Sequence, residues 1–120
     1  KNGGIYGWKR VFKEETVVLF TRTLQDNGEL LGWDQPGGFN PFGVYHGENT
    51  YGHTGFTGTS IWIDPENDMI VVLLTNAVHP SRTMKAPNYF DWGQRIHSAA
   101  YEAVGIIEQN PNLEWRKRWK

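Results

Sequence analysis

The chain contains no cysteine. That excludes a disulfide or a thiolate-bound metal and leaves the redox compartment open. It also lacks charge of one dominant sign, with 12 Lys+Arg against 13 Asp+Glu and a formal net charge of -1. So even a balance gives no field to gather nucleic acid or an anionic membrane surface, and no nucleic-acid partner is expected. No apolar run approaches the roughly 20 residues that span a bilayer. No signal-peptide pattern opens the sequence, and no internal repeat runs through it. Long regular segments are scarce too. Much of the first half is rich in turn formers, which suits a piece of a larger domain better than an autonomous unit of 120 residues.

What the chain does have is glycine, 14 in all, and tryptophan, 6 in all. Large aromatics supply much buried area per residue, and glycines allow close backbone approach. Lys1 to Trp8, with Asn2-Gly3-Gly4 and Gly7, reads as loop. A helix is predicted from about Lys13 to Thr23, with Val17, Phe20 and Leu24 as its apolar stripe. Asp26-Asn27-Gly28 reads as a turn and Leu30 to Asp34 as a short strand. Gln35 to Pro41 is a Pro/Gly turn region, and Gly43 to Thr50 is polar and irregular.

The clearest pattern follows. From Thr57 to Asp64 residues alternate, with Thr59, Ile61 and Ile63 on one face and Ser60, Trp62 and Asp64 on the other. Pro65-Glu66-Asn67-Asp68 is a turn. Met69 to Leu74 is continuously apolar, as in a central strand covered on both faces. The two segments predict an antiparallel hairpin, a unit too small to stand alone in water. A loop from Asn76 to Asn88 contains Pro80 and Pro87. A second helix is predicted from about Asp91 to Val104, with Asp91 and Gln94 at capping-box spacing. Trp92, Ile96, Ala99, Ala100 and Ala103 form its apolar face, and Gly105 is its stop.

Tyr51-Gly52-His53-Thr54-Gly55-Phe56-Thr57-Gly58-Thr59-Ser60 leads directly into the hairpin. This stretch resembles the serine β-lactamase and penicillin-binding-protein family, whose Lys-Thr-Gly triplet opens an edge strand opposite the nucleophile. His-Thr-Gly replaces that triplet in some D-Ala-D-Ala carboxypeptidases and esterases of the group. Further strings agree in order: Glu15-Thr16-Val17, Leu31-Gly32-Trp33, Trp62-Ile63-Asp64-Pro65, Val71-Val72-Leu73-Leu74-Thr75-Asn76 and His79-Pro80. The resemblance covers about Ile5 to Val104.

It implies an α/β (α+β) protein built on an antiparallel sheet flanked by helices, of which residues 1-107 form the C-terminal portion and 108-120 a basic, Trp-containing tail. It also implies acyl transfer through a serine acyl-enzyme on peptide, β-lactam or ester substrates. His53, Thr54, Gly55 and Phe56 would be the catalytic wall, with the Phe56 amide as one oxyanion donor. The Thr54 hydroxyl would hold a carboxylate or polar group, and Gly55 would admit the substrate close to the backbone. Thr57, Gly58, Trp33 and Tyr45 would contact substrate. Histidine in place of lysine forgoes a permanent cation, which favours a peptidase or esterase over a true β-lactamase. A periplasmic or extracellular location is implied by the family alone.

The nucleophile is missing. The family serine lies in Ser-x-x-Lys, yet Ser60, Ser81 and Ser98 have Ile63, Met84 and Tyr101 three positions on. Tyr-x-Asn and Ser-x-Asn are absent as well. The chain alone is therefore expected to be inert and to need, as its partner, an N-terminal portion of the same domain, on the order of 250 residues. A non-catalytic peptide- or glycan-binding module on the same fold is the alternative; Ser-x-x-Lys in the preceding sequence would separate the two.

Simpler roles account for other conspicuous residues. His46, His53, His79 and His97 lack ligand spacing, so no metal or cofactor is expected. His97 reads as structural and His79 as a loop residue bonded near the hairpin's end. Most tryptophans read as core.

Overall fold

The computed structural model describes residues 2–36, 42–85 and 89–105. The elements run β1 (Ile5–Tyr6), β2 (Lys9–Arg10), α1 (Glu14–Thr21), β3 (Tyr51–Thr54), β4 (Ser60–Asp64), β5 (Met69–Leu73), a short 3-10 helix (Arg82–Lys85) and α2 (Tyr89–Ala103). β1 and β2 form a small hairpin, and β3, β4 and β5 an antiparallel sheet in that order. Helices and antiparallel strands thus combine as the α/β reading expects.

Two segments depart from that reading near the N-terminus. The opening stretch, read as loop, pairs Ile5 with Arg10 and Tyr6 with Lys9. Gly7, at φ +59°, starts the two-residue turn between them, where a tight hairpin needs positive φ. Leu30 to Asp34 makes no strand but a single bridge from Asp34 to Gly52. α1 is shorter than predicted at both ends, and none of its residues is buried.

The alternation along β4 is real, and the buried side is the polar one. Ser60, Trp62 and Asp64 are buried, while Ile61 and Ile63 are half-buried. The reason is α2, which lies on that face and offers hydrogen-bonding partners. Its Gly93, His97, Ser98 and Tyr101 are buried, whereas Trp92, Ile96 and Ala99 are exposed. The predicted apolar face of this helix is therefore corrected. α2 also begins at Tyr89, so Asp91 lies inside its first turn and pairs with Arg95 at 2.7 Å rather than capping. Gly105, at φ +68°, follows the helix as expected.

β5 is not a covered central strand in this chain. It is the last strand of the described sheet. Ile70, Val72 and Leu74 are 66%, 55% and 78% exposed. A continuous apolar run marks two faces that avoid water, but only one has a cover here. Val18, Leu19 and Phe20 of α1 are exposed too. The predicted 108-120 tail, Pro87 and Asn88, and most of the 35–41 turn region lie outside the described residues.

Candidate functional site

β3 is positioned from one side only. Tyr51 pairs with Ile63, Gly52 with Trp62, His53 with Ile61 and Thr54 with Ser60. On the outer edge, the Gly52 N–H donates to Asp34 O at 3.1 Å and the Asp34 N–H donates to Gly52 O at 2.7 Å. Main-chain groups alternate in direction along an antiparallel strand. The N–H and C=O of Thr54 therefore also point outward, away from β4. The Gly55 N–H points back and donates to Thr59 O at 2.6 Å.

Side chains alternate as well. Thr54 shares the face of Ser60 and is half-buried; His53 shares the opposite face with Ile61 and is exposed. His53 Nδ1 lies 2.7 Å from Thr54 O. A carbonyl only accepts, so Nδ1 carries a proton in this contact, which leaves Nε2 outside it. A groove of about 380 Å³ beside the strand is lined by Glu29, Gly32, Trp33, Asp34, Gln35 and His53, together with Leu30. Trp33 is braced edge-on against Tyr51, with ring centroids 5.4 Å apart. Burial raises the Tyr51 pKa, and the nearby Arg22 charge and a Thr21 hydrogen bond offset part of that rise.

The glycines shape this corner. A side chain at Gly52 would strike the Trp62 ring and Ile61 O, and one at Gly55 would strike Thr59 Oγ1. A side chain at Gly55 would force the Thr59 hydroxyl to move, so glycine eases closure of the hairpin, whatever it does for substrate. Gly58 turns the chain at φ +91° and donates to Gly55 O at 3.0 Å. Thr57 O accepts from the Ala77 N–H at 2.7 Å and from Thr75 Oγ1 at 3.1 Å, which ties this turn to the end of β5. Phe56 projects from the turn, 64% exposed, with the Arg82 guanidinium 5.2 Å from its ring centroid.

The structure therefore brings His53 and Trp33 to one groove, with Thr54, Gly55 and Phe56 continuing along the same strand end. Tyr45 goes elsewhere. Its hydroxyl donates to Glu102 at 3.0 Å, and its ring lies 6.4 Å from that of Tyr101, against α2. His79 sits in the loop after β5, where its N–H donates to Asn76 O at 3.3 Å.

The strand is held in place by a polar core that sequence patterning did not assemble. Ser60 Oγ lies 2.9 Å from His97 Nε2. Burial lowers the His97 pKa to about 4, so the ring is neutral and structural. Trp62 packs on Phe42 with ring centroids 3.5 Å apart. Ser98 Oγ accepts from the Val44 N–H at 3.0 Å and donates to Gln94 O at 2.7 Å. The alternating β4 pattern signalled this face, but its partners are 37 residues away in sequence. Asp34 was also missed, because nothing local announces a single bridge.

Among the described residues no group of His, Asp and Glu is arranged to hold a metal ion, and no helix is long and apolar enough to cross a membrane.

Residues 2–94 match the family model described as Beta-lactamase. A protein of Escherichia coli (strain K12) named "Putative D-alanyl-D-alanine carboxypeptidase" is 41% identical over 99 residues, covering 78% of this chain and 23% of that protein. One of the same name from Salmonella paratyphi B is 43% identical over 95 residues, covering 74% of this chain and 22% of that protein. The chain thus spans about a quarter of the length of the curated relatives it matches. No solved structure matches.

Proposed function

This chain belongs to the beta-lactamase family, and from that membership we propose that it is one wall of a serine hydrolase site whose nucleophile comes from outside these residues. The observation that carries the reading is the outer edge of β3. There the main chain of Thr54 faces away from β4, beside the groove lined by His53 and Trp33.

In this reading a substrate lies along that edge as an added strand. A serine oxygen attacks its acyl carbon, and the oxygen of the tetrahedral intermediate is held by the Phe56 N–H and the nucleophile's own N–H. The leaving group departs with a proton. Water then releases the acyl group from the serine. The Thr54 hydroxyl binds a carboxylate or polar group. The Nδ1 proton of His53 is engaged by Thr54 O, which frees Nε2 to take part in proton traffic or to shape the local field. The substrates are peptides, β-lactams or small esters, with peptide or ester favoured over true β-lactamase action because His53 is no permanent cation. The enzyme works outside the cytoplasmic membrane.

The partner this requires is the rest of the same domain. Its contact surface is the exposed apolar face formed by Ile70, Val72 and Leu74. The 120 residues by themselves are inert.

The role of the Phe56 amide is tested in the complete protein that contains this chain, assayed with a nitrophenyl ester. Phe56→Pro deletes the N–H, and about 100-fold to 1000-fold of kcat should be lost. Phe56→Ala retains the N–H and should stay within a few-fold of wild type. Equal activity of the two variants would remove Phe56 from the oxyanion site.

A further inference from the structure

We infer that the β1–β2 hairpin is a membrane-docking finger: Tyr6 and Trp8 enter the headgroup layer of a bilayer while Lys9 and Arg10 meet its anionic lipids. This surface lies apart from the strand end that carries Thr54 and Phe56, and the inference does not depend on the acyl-enzyme reading.

The base of the hairpin is closed and its tip is bare. Gly4 O accepts from the N–H groups of Val11 and Phe12 at 2.8 and 3.1 Å. The Arg10 guanidinium donates to Gly3 O at 2.8 Å and to Phe12 O at 3.1 Å. A side chain at Gly4 would strike Phe12 O, so main chain meets main chain there. At the other end only Gly7 and Trp8 join the paired residues Tyr6 and Lys9. Gly7 takes φ +59° and Trp8 does not share its positive sign, which is the tight turn with glycine at the first of two central positions. Trp8 therefore stands at the extremity. It is 94% exposed and Tyr6 84%, and a Cβ on Gly7 would meet nothing within 4 Å. Among the described residues Tyr6, Trp8 and Lys9 make no side-chain hydrogen bond, ion pair or ring contact. Val11 and Phe12 are exposed as well. Four large apolar or aromatic side chains within residues 6–12 form a patch rather than scatter.

Charge selects the partner. The near-even balance of the whole chain hides a local excess: from Asn2 to Lys13 there are three cations, Lys9, Arg10 and Lys13, and no carboxylate. Lys13 is matched by Glu15 at 3.8 Å. Arg10 bonds only neutral carbonyls, so it and Lys9 keep a net charge beside the tip. Tryptophan and tyrosine settle at headgroup level, with the ring in apolar surroundings and the polar end in water, and flanking cations are drawn to anionic lipid. A sugar platform would need carboxylates or carboxamides placed around the rings to bond hydroxyl groups, and residues 5–12 hold neither. Docking here also bears on the groove. Phe12, at the base of the hairpin, lines an apolar pocket together with Trp33, and Trp33 lines the groove of His53. A finger attached there holds the groove close to the lipid surface.

The complete protein that contains this chain is mixed with vesicles of phosphatidylcholine and phosphatidylglycerol that carry a photoreactive lipid. After illumination the labelled peptides are mapped by mass spectrometry. This readout is local, so any other membrane attachment does not obscure it, and it needs no enzymatic activity. The peptide holding Tyr6 and Trp8 should be labelled. Trp8→Ala should lower that labelling about 10-fold. Lys9→Gln should lower it about 5-fold on these vesicles and leave it unchanged on vesicles of phosphatidylcholine alone. Both side chains are on the surface, so the variants should melt with wild type and hydrolyse a water-soluble nitrophenyl ester at the same rate. Absence of label on residues 5–12 overturns the finger, whether the rest of the domain covers the tip or nothing does. Labelling there that Trp8→Ala leaves unchanged overturns it too. So does retention on chitin beads that depends on Trp8 while vesicle labelling does not, which would make the tip a glycan contact.

Discussion

The Tyr101 hydroxyl donates to Asp64 Oδ2 across 2.7 Å, which joins α2 to the far end of β4. The same carboxylate accepts from the N–H groups of Gly47 at 2.9 Å, Glu66 at 3.1 Å and Asn67 at 3.1 Å, and from Asn67 Nδ2 at 2.7 Å. Burial alone raises the Asp64 pKa, but the donors from Asn67, Gly47 and Tyr101 together bring it below the usual carboxylate value. The Tyr101 pKa is pushed up, first by burial and then by the hydrogen bond to Asp64 and its charge. Asp64 thus fixes β4, and β4 is the only described strand that β3 pairs with. Tyr101→Phe should cost about 1 to 2 kcal/mol, and Asp64→Ala, which orphans the buried Tyr101 hydroxyl and several part-buried donors, about 3 kcal/mol or more. Urea denaturation of the folded protein measures both. A smaller loss for Asp64→Ala than for Tyr101→Phe would contradict the hub.

Stability should fall as the medium is acidified through the range set by His97. Its pKa is 6.5 in an open chain and about 4 when folded, because burial penalises the charged ring. Below 6.5 the unfolded chain therefore binds the proton first. The stabilising contribution is complete above about pH 6.5 and is lost progressively toward pH 4, to a limit of about 3 kcal/mol. Asp64 has a depressed folded pKa, so its own contribution is lost at lower pH still, as the folded carboxylate is protonated. Thermal melts between pH 7 and 4 should show a steady decline, and His97→Gln should flatten its upper part. An equal slope in wild type and variant would exclude His97 as the source.

The packing effect of glycine at 55 can be separated from any contact with substrate. Gly55→Ala places a methyl against Thr59 Oγ1 and should destabilise by about 1 to 3 kcal/mol. Thr59→Ala removes the obstructing hydroxyl and should restore part of that loss, as a positive coupling in a double-mutant cycle. Strictly additive losses would contradict the contact.

How much of this was legible in the sequence depended on distance along the chain. The hairpin was readable because alternation, turn and apolar run are all local to residues 57–74. The strand that carries His53 and Thr54 was readable through the family resemblance of residues 51–60, whereas the close approaches of Gly52 to Trp62 and of Gly55 to Thr59 were visible only in the structure. The covered face was not. Helical periodicity pointed to Trp92 and Ile96, whereas burial followed His97, Ser98 and Tyr101, whose partners Ser60, Val44 and Asp64 lie on remote segments. A buried helix face selected by hydrogen bonding carries no apolar signature. Tyr45 shows the same limit: its loop leads toward the triplet in sequence, but its hydroxyl is held by Glu102 on α2. The apolar run of β5 was correctly seen as hydrophobic on both sides, but sequence does not say which chain segment covers the second.

That uncovered side supports a prediction about association. Replacing Ile70, Val72 and Leu74 by threonine removes exposed apolar surface and should cost the isolated chain little. It should weaken reconstitution with a separately expressed remainder of the domain by about 10-fold or more, read as recovered ester hydrolysis on mixing. Reconstitution as efficient as that of the unaltered chain would locate the contact elsewhere.

The central matter is where the reactive serine resides. The complete protein should be treated with a fluorophosphonate, digested, and its single labelled peptide mapped by mass spectrometry, with the 120-residue chain treated in parallel. The label is expected on a serine of a Ser-x-x-Lys sequence outside these residues, and none on the chain alone. A label on Ser60, Ser81 or Ser98 would contradict a wall that faces a nucleophile supplied from elsewhere.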